Sequence, residues 1–317
     1  MTVTISDFGA RIVKWEVTVG EARRSIVLGY KDLESYQHDP FYLGAIVGPF
    51  ANRIKHGKVK LSVQSIQLTK NDADNHLHGG FLALDKQHWQ VVHADQHCIQ
   101  LNVICADGYN GYPGPTAFDI IYELNGHVLS IEIITTATKN TLSGATGHAY
   151  FNLNGVDSGM CGLQQWLQSN ATHFTPKDEW GLPSGKDNSV EGTAFDFKQT
   201  VLLNSSAQYT GLDHNLVFNG EVQQSVLMSN NRDLSLVVTS DYPAAQFYTG
   251  YYLNGELSTN QGVCIEPHFG ADAPNHKDNP QGIIQSHQIS TQLISYEVQA
   301  QSSSPYRATF PSDIKLK

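Results

Sequence analysis

The sequence predicts an all-β fold, a large antiparallel β-sandwich forming a single domain over residues 1–317. Three observations carry this: apolar residues recur with period two, Asn-Gly dipeptides punctuate the alternation, and helical spacing is nearly absent. The first segment, MTVTISDFGARIVKWEV, alternates polar with apolar residues and lacks a basic stretch followed by an apolar block. It reads as a first strand rather than a secretory leader, so the expected location is cytoplasmic. Residues 99–105 (IQLNVIC), 118–124 (FDIIYEL), 128–134 (VLSIEII) and 234–239 (LSLVVT) mix alternation with β-branched side chains, as half-buried strands do. Between the first two lies DGYNGYPGP (107–115), a Gly/Pro-rich loop within the domain. Asn125-Gly126 separates two strands and Asn219-Gly220 nearly does the same, which predicts two type I′ hairpins. The helix candidates are short, such as LQQWL at 163–167, so alternating βα units are excluded. Neither a repeat of propeller length nor a Pro/Ser linker divides the chain.

Composition narrows the partners. The chain has 317 residues, 40% hydrophobic and 10% aromatic, enough to bury a large core. Thirty acidic against 20 basic residues give a net charge of -10, which argues against nucleic acid or anionic lipid as partner. No apolar stretch reaches the length a membrane helix needs. Cys98, Cys105, Cys161 and Cys264 lie far apart without CxxC spacing, so buried thiols are expected rather than a disulfide frame or zinc site. A small neutral molecule fits better, bound by a monomer or homodimer.

Several segments are polar, Gly-marked and aromatic at once: 44–54 (GAIVGPFANRI), 75–80 (NHLHGG), 146–155 (TGHAYFNLNG), 212–218 (LDHNLVF), 246–250 (QFYTG) and 264–275 (CIEPHFGADAPN). They supply Asn52, Arg53, His78, His148, Tyr150, Asp213, Gln246 and Glu266. Taken singly, each has a plainer role: Arg53 a solvated strand end, His148 and Tyr150 core residues, Asp213 a turn cap, Glu266 half of a surface ion pair. His76 and His78 form an HxH pair, but no third ligand follows at cupin spacing, so neither metal nor other cofactor is expected. A nucleophile elbow, a P-loop and GxGxxG are all missing, and the segments offer one Arg. Carboxylate plus imidazole remains, Glu266 with His148, surrounded by hydroxyl-binding groups. Such a base and acid can open a sugar ring reversibly, one taking the anomeric hydroxyl proton while the other protonates the ring oxygen.

Ten stretches together, in order, make the chain similar to a known family: GARIVKW from Gly9, IVLGYKDLESY from Ile26, GAIVGPFANRI from Gly44, NHLHGG from Asn75, DGYNGYPG from Asp107, GHAYFNL from Gly147, VEGTAFDF from Val190, LDHNLVF from Leu212, QFYTG from Gln246 and IEPHFGADAPN from Ile265. The chain resembles the aldose 1-epimerases, also called galactose mutarotases, over roughly residues 7 to 276, with YRATF at 306–310 a last familiar stretch. The resemblance implies an antiparallel β-sandwich and interconversion of the anomers of free hexoses such as glucose and galactose. It implies Glu266 as base and His148 as acid, with Asn52, Arg53, His78, Asp213 and Gln246 holding sugar hydroxyls and Tyr150 shaping the pocket. The segment before Gly9 is shorter than the family's, which implies a missing or replaced edge strand. Pro49, Gly147 and Pro267-His268 depart from the family pattern and are expected to adjoin the pocket and tune which sugar fits. Rival readings are a silent sugar-binding or regulatory module on the same fold, a glycosidase using Asp213 and Glu266, and an epimerase of hexose 6-phosphates with extra cations for the phosphate.

Overall fold

The structure, a computed structural model, describes residues 1–61, 64–220 and 222–300; the 306–310 stretch lies outside the described residues. Two antiparallel sheets dominate. The larger has nine strands among the described residues, in the order Val201–Leu202, Trp166–Ser169, Gln223–Met228, Leu234–Ser240, Ile289–Ala300, Val128–Ala137, Thr116–Asn125, Cys98–Cys105 and Gln90–Ala94. The smaller has five: Asn188–Ser189, His173–Phe174, Asp213–Val217, Ala244–Tyr248 and Cys264–His268. All four strands predicted from alternation lie in the larger sheet. Val128–Ala137 shows why, since burial alternates residue by residue along its whole length.

The sandwich forms because the inward faces of both sheets share one core. Phe118, Ile120, Ile131, Ile133, Leu236 and Ile294 of the larger sheet meet Leu216, Ala245, Phe247 and Ile265 of the smaller in a single buried cluster. Each fully buried aliphatic or aromatic side chain contributes roughly 1.5–3 kcal/mol.

Local predictions fare unevenly. The N-terminal segment forms two paired strands, Thr2–Ser6 and Arg11–Val19, because the chain reverses through Gly9 at φ +74 and Ala10 at φ +47. The first hairpin exists, but Asn125 pairs with Val128 and the two loop residues are Gly126 and His127. Of these only Gly126 has positive φ, as type II′ requires and type I′ does not. Asn219 and Gly220 do both have positive φ, yet they join no hairpin. Asp213–Val217 belongs to the smaller sheet and Gln223–Met228 to the larger, so the turn crosses between sheets.

The 163–167 segment is a turn leading into the Trp166–Ser169 strand, not a helix. The Gln165 amide donates to the Phe151 and Gly162 carbonyls and accepts from Leu153 N–H, while Trp166–Ser169 pairs with Gln223–Met228. Tertiary partners thus outweigh local helix preference. All four cysteines are free; Cys105 and Cys264 are buried, whereas Cys98 and Cys161 are half-buried. Among the described residues no helix is long and apolar enough to cross a membrane.

Candidate active site

The period-two rule that fills the core also builds the site. On three adjacent strands of the smaller sheet, Asp213–Val217, Ala244–Tyr248 and the edge strand Cys264–His268, the residues Leu216, Phe247 and Ile265 face the larger sheet, so Asp213, Asn215, Gln246, Glu266 and His268 face the other way. Register places Asn215, Gln246 and Glu266 in one row across the strands. Loops and short strands from the first half of the chain close over this face. All eight residues singled out from the sequence, Asn52, Arg53, His78, His148, Tyr150, Asp213, Gln246 and Glu266, line a single pocket of about 160 Å³.

At its floor His148 Nε2 lies 3.4 Å from Glu266 Oε2, with both side chains about 5% exposed. Burial pushes the Glu266 carboxyl well above the usual carboxylate range, and the nearby Asp213 charge adds to that. Burial likewise lowers His148 to about 4. Desolvation thus outweighs the attraction of the Asp39 and Asp213 carboxylates, which alone would favour the imidazolium. On the far side of the ring Nδ1 is 3.7 Å from Cys264 Sγ, a thiol that burial keeps protonated.

Around this pair the polar groups are interlocked. Asn52 Nδ2 donates to Gln246 Oε1 at 3.2 Å, Gln246 Nε2 donates to Asp213 Oδ1 at 2.6 Å, and Lys177 Nζ donates to Asp213 Oδ2 at 3.1 Å and to the Asp213 carbonyl. Burial alone would raise Asp213, but the Lys177 charge and the Gln246 hydrogen bond outweigh it and hold the carboxyl below its ordinary value. Arg53 is ion-paired to Asp72 through Nε at 2.7 Å. Asn52 and His78, at φ +66 and +50, stabilise each other's left-handed backbones: His78 N–H donates to the Asn52 carbonyl and Asn52 N–H to His78 Nδ1, each at 3.2 Å.

The HxH pair does not act together. His76 is buried away from the pocket between the Thr69 carbonyl and the Tyr112 hydroxyl, while His78 converges with His148 and Glu266. Ligand atoms of those three lie within 4.8 Å of one another, a set the spacing in sequence did not reveal. Because His78 Nδ1 accepts the Asn52 N–H, the neutral ring carries its proton on Nε2. That nitrogen is a hydrogen-bond donor to the pocket, and binding a cation through it requires shifting the proton to Nδ1, which sets two N–H groups against each other and loses the Asn52 hydrogen bond. The donor set therefore fits a hydroxylated ligand better than a metal.

A family model described as Aldose 1-epimerase matches residues 1–297. The chain belongs to the aldose 1-epimerase family. It is 33% identical over 294 residues to an aldose 1-epimerase of Haemophilus influenzae, covering 88% of this chain and 86% of that one. Human galactose mutarotase is 33% identical over 277 residues, 85% of this chain and 80% of its own. Among solved structures, an aldose epimerase homologue from C. elegans superposes with TM-score 0.89 at 26% identity, over 95% and 96% of the two chains. A galactose 1-epimerase from Lactobacillus acidophilus gives 0.82 at 28%, over 95% and 91%. The aldose 1-epimerases are isomerases.

Against the family pattern, one of the departures reaches the pocket face. Pro49 packs beside Gly79, where a side-chain carbon would meet Pro49 Cδ at 2.9 Å. A side chain at Gly147 would meet Tyr296 and Ile131 of the larger sheet, and Pro267 alternates with Glu266 onto the core side. His268 does share the Glu266 face; its Nε2 donates to Asn215 Oδ1 at 2.7 Å, and burial lowers it to about 3, so it is neutral. The lining residues Tyr42, Tyr248 and Tyr252 were not singled out from sequence, nor was Lys177, which does not line the pocket but pairs with Asp213. Tyr42 and Tyr248 sit in or beside the quoted motifs and were within reach. Lys177 carries no local signal.

Proposed function

We propose that the protein interconverts the α and β anomers of free hexoses such as glucose and galactose by opening and reclosing the ring. The observation that carries the reading is the buried His148–Glu266 contact at 3.4 Å, set in a pocket whose other polar groups suit sugar hydroxyls.

Ring opening needs Glu266 ionised and His148 protonated. Glu266 takes the proton of the anomeric hydroxyl, the freed O–H pair becomes the carbonyl bond, and the C1–O5 electrons leave with the ring oxygen. His148 delivers a proton through Nε2 to that oxygen. Rotation about C1–C2 turns the aldehyde, and the reverse transfers close the ring on the other face. After opening, the pair is a carboxylic acid and a neutral imidazole. That is the distribution that burial of both groups favours, so the dry pocket supports the open form. The pair takes one proton from the sugar and returns another to it, so it carries one proton before and after opening and none need come from water.

The binding groups divide by chemistry. Asp213, held ionised by Lys177, and the oxygen of Asn52 accept hydroxyl protons; His78 Nε2–H, Arg53 and Gln246 donate. Both cations nearest the sugar, Arg53 and Lys177, are already matched by Asp72 and Asp213, which favours a neutral aldose over a phosphorylated one.

Optical rotation of freshly dissolved α-D-glucose and α-D-galactose, followed with and without the protein, tests this reading. Relaxation to the equilibrium rotation is expected to accelerate in proportion to protein concentration. Unchanged relaxation of both sugars, with sugar binding detected by calorimetry, would instead support the silent binding module.

A further inference from the structure

Residues 40–42 form one wall of the pocket, and Tyr42 stands there in an uncommon backbone state. Its φ is +56, in the left-handed region where a bulky side chain is an outlier that persists only when the surroundings impose it. The imposing group is Asp39. Its buried carboxylate accepts Phe41 N–H at 2.9 Å and Leu43 N–H at 2.7 Å, so the residues on either side of Tyr42 are tied to one side chain. Asp39 also accepts from Tyr30 Oη at 3.1 Å and from Arg11 Nη1 at 2.7 Å. Arg11, fully buried, then donates to the Leu43 carbonyl at 2.9 Å and the Asp85 carbonyl at 3.0 Å.

This latch sets the Tyr42 ring 4.7 Å from His78 and 5.7 Å from His148, centroid to centroid. Neighbouring tyrosines have partners for their hydroxyls. Tyr30 donates to Asp39, Tyr36 accepts Tyr30 N–H, Tyr150 donates to the Phe41 carbonyl, and Tyr248 accepts Tyr252 N–H. No described residue hydrogen-bonds the hydroxyl of Tyr42. Tyr42 is half-buried and its hydroxyl is not sealed off from solvent, so it is open to a ligand in the pocket. Burial also raises its pKa, so it keeps its proton and can donate.

We propose that Tyr42 is a sugar-contacting residue, its hydroxyl bonded to a substrate hydroxyl, and that Asp39 is the positioning residue that holds it there through residues 41 and 43. The proposal rests on the pocket being the sugar site, and its test separates the two ideas. Polarimetric kcat and KM are measured for wild type, Tyr42→Phe, Asp39→Asn and the double variant. Calorimetric Kd for methyl α-D-galactoside and methyl α-D-glucoside, which cannot open, is measured in parallel.

Tyr42→Phe is expected to raise KM and Kd about threefold to tenfold, as loss of one neutral hydrogen bond does, with kcat within threefold. Asp39→Asn is expected to raise KM at least as much, and adding Tyr42→Phe to it should change KM less than twofold, because the latch is already released. Unchanged KM and Kd in Tyr42→Phe overturn the contact. Effects that multiply in the double variant overturn the positioning role of Asp39. A wild type that binds the glycosides but turns over no aldose refutes the epimerase reading while Kd still decides Tyr42; one that binds neither glycoside overturns both. Should Asp39→Asn not fold, Tyr42→Phe alone still decides the contact.

Discussion

His148 Nε2 and Glu266 Oε2 face each other at 3.4 Å in a site where burial opposes a charge on either, lowering the imidazole to about 4 and raising the carboxyl. The two therefore titrate as a pair that holds one proton across a wide range, wherever that proton sits.

A broad pH plateau follows. The one-proton pair is the active form, and a second proton enters near the lowered His148 value of about 4. The last proton leaves when Glu266, raised above the ordinary carboxylate range, finally ionises. The kcat plateau should run from an acid limb near pH 4 to an alkaline limb displaced upward from the ordinary carboxylate range. An unperturbed pair would confine activity to about pH 4.3–6.5. Initial polarimetric rates over pH 3.5 to 9.5 check this, and an alkaline limb at about 6.5 would mean that an ordinary imidazole controls turnover.

Asp213 adjusts that alkaline limb. Its charge is the second cause, after burial, of the raised Glu266 value. In Asp213→Asn the carboxyl loses this repulsion and gives up its proton more readily, so the limb moves to lower pH. The variant also loses a charged acceptor for a sugar hydroxyl, which should raise KM roughly tenfold or more. An unmoved limb with only KM raised would confine Asp213 to holding the sugar.

Much of this architecture was legible because strands write their burial into alternation. Residues 128–134 and 234–239 announced strands of the larger sheet in that way, and Asp213, Gln246 and Glu266 share the face that alternation leaves away from the core. What stayed hidden depends on partners distant in sequence. The Asn219-Gly220 turn specifies a reversal but not which sheet receives the chain. Lys177 lies 36 residues from Asp213, in a segment with no catalytic pattern. The direction of the His148 shift is set by how completely separate segments exclude water, which composition does not encode.

Phosphorylated sugars should be poor substrates. Arg53 and Lys177 are engaged by Asp72 and Asp213, so a sugar phosphate entering the pocket would find no free cation there among the described residues lining it. Leaving such a dianion unpaired costs several kcal/mol, on the order of a hundredfold in kcat/KM. Comparison of glucose with glucose 6-phosphate by polarimetry measures this; a higher kcat/KM for the phosphate would revive the hexose 6-phosphate reading.

Chelators should have no effect. His78 presents a protonated Nε2 to the pocket because its Nδ1 accepts the Asn52 N–H, so the His78–His148–Glu266 set is wired for hydrogen bonds. Turnover after exhaustive EDTA dialysis is expected to equal that of untreated protein. Activity lost on dialysis and restored by zinc would show that the three side chains ligate a metal in the working enzyme.

The central claim is that the buried pair moves the protons. Turnover of Glu266→Gln and His148→Ala, measured by polarimetry on protein shown folded by circular dichroism, tests it most directly. Each positioned proton-transfer group is worth about 10² to 10⁴ in rate. Both variants are expected to fall by at least a hundredfold in kcat while still binding methyl galactoside; a folded variant of either residue with wild-type kcat would contradict the claim.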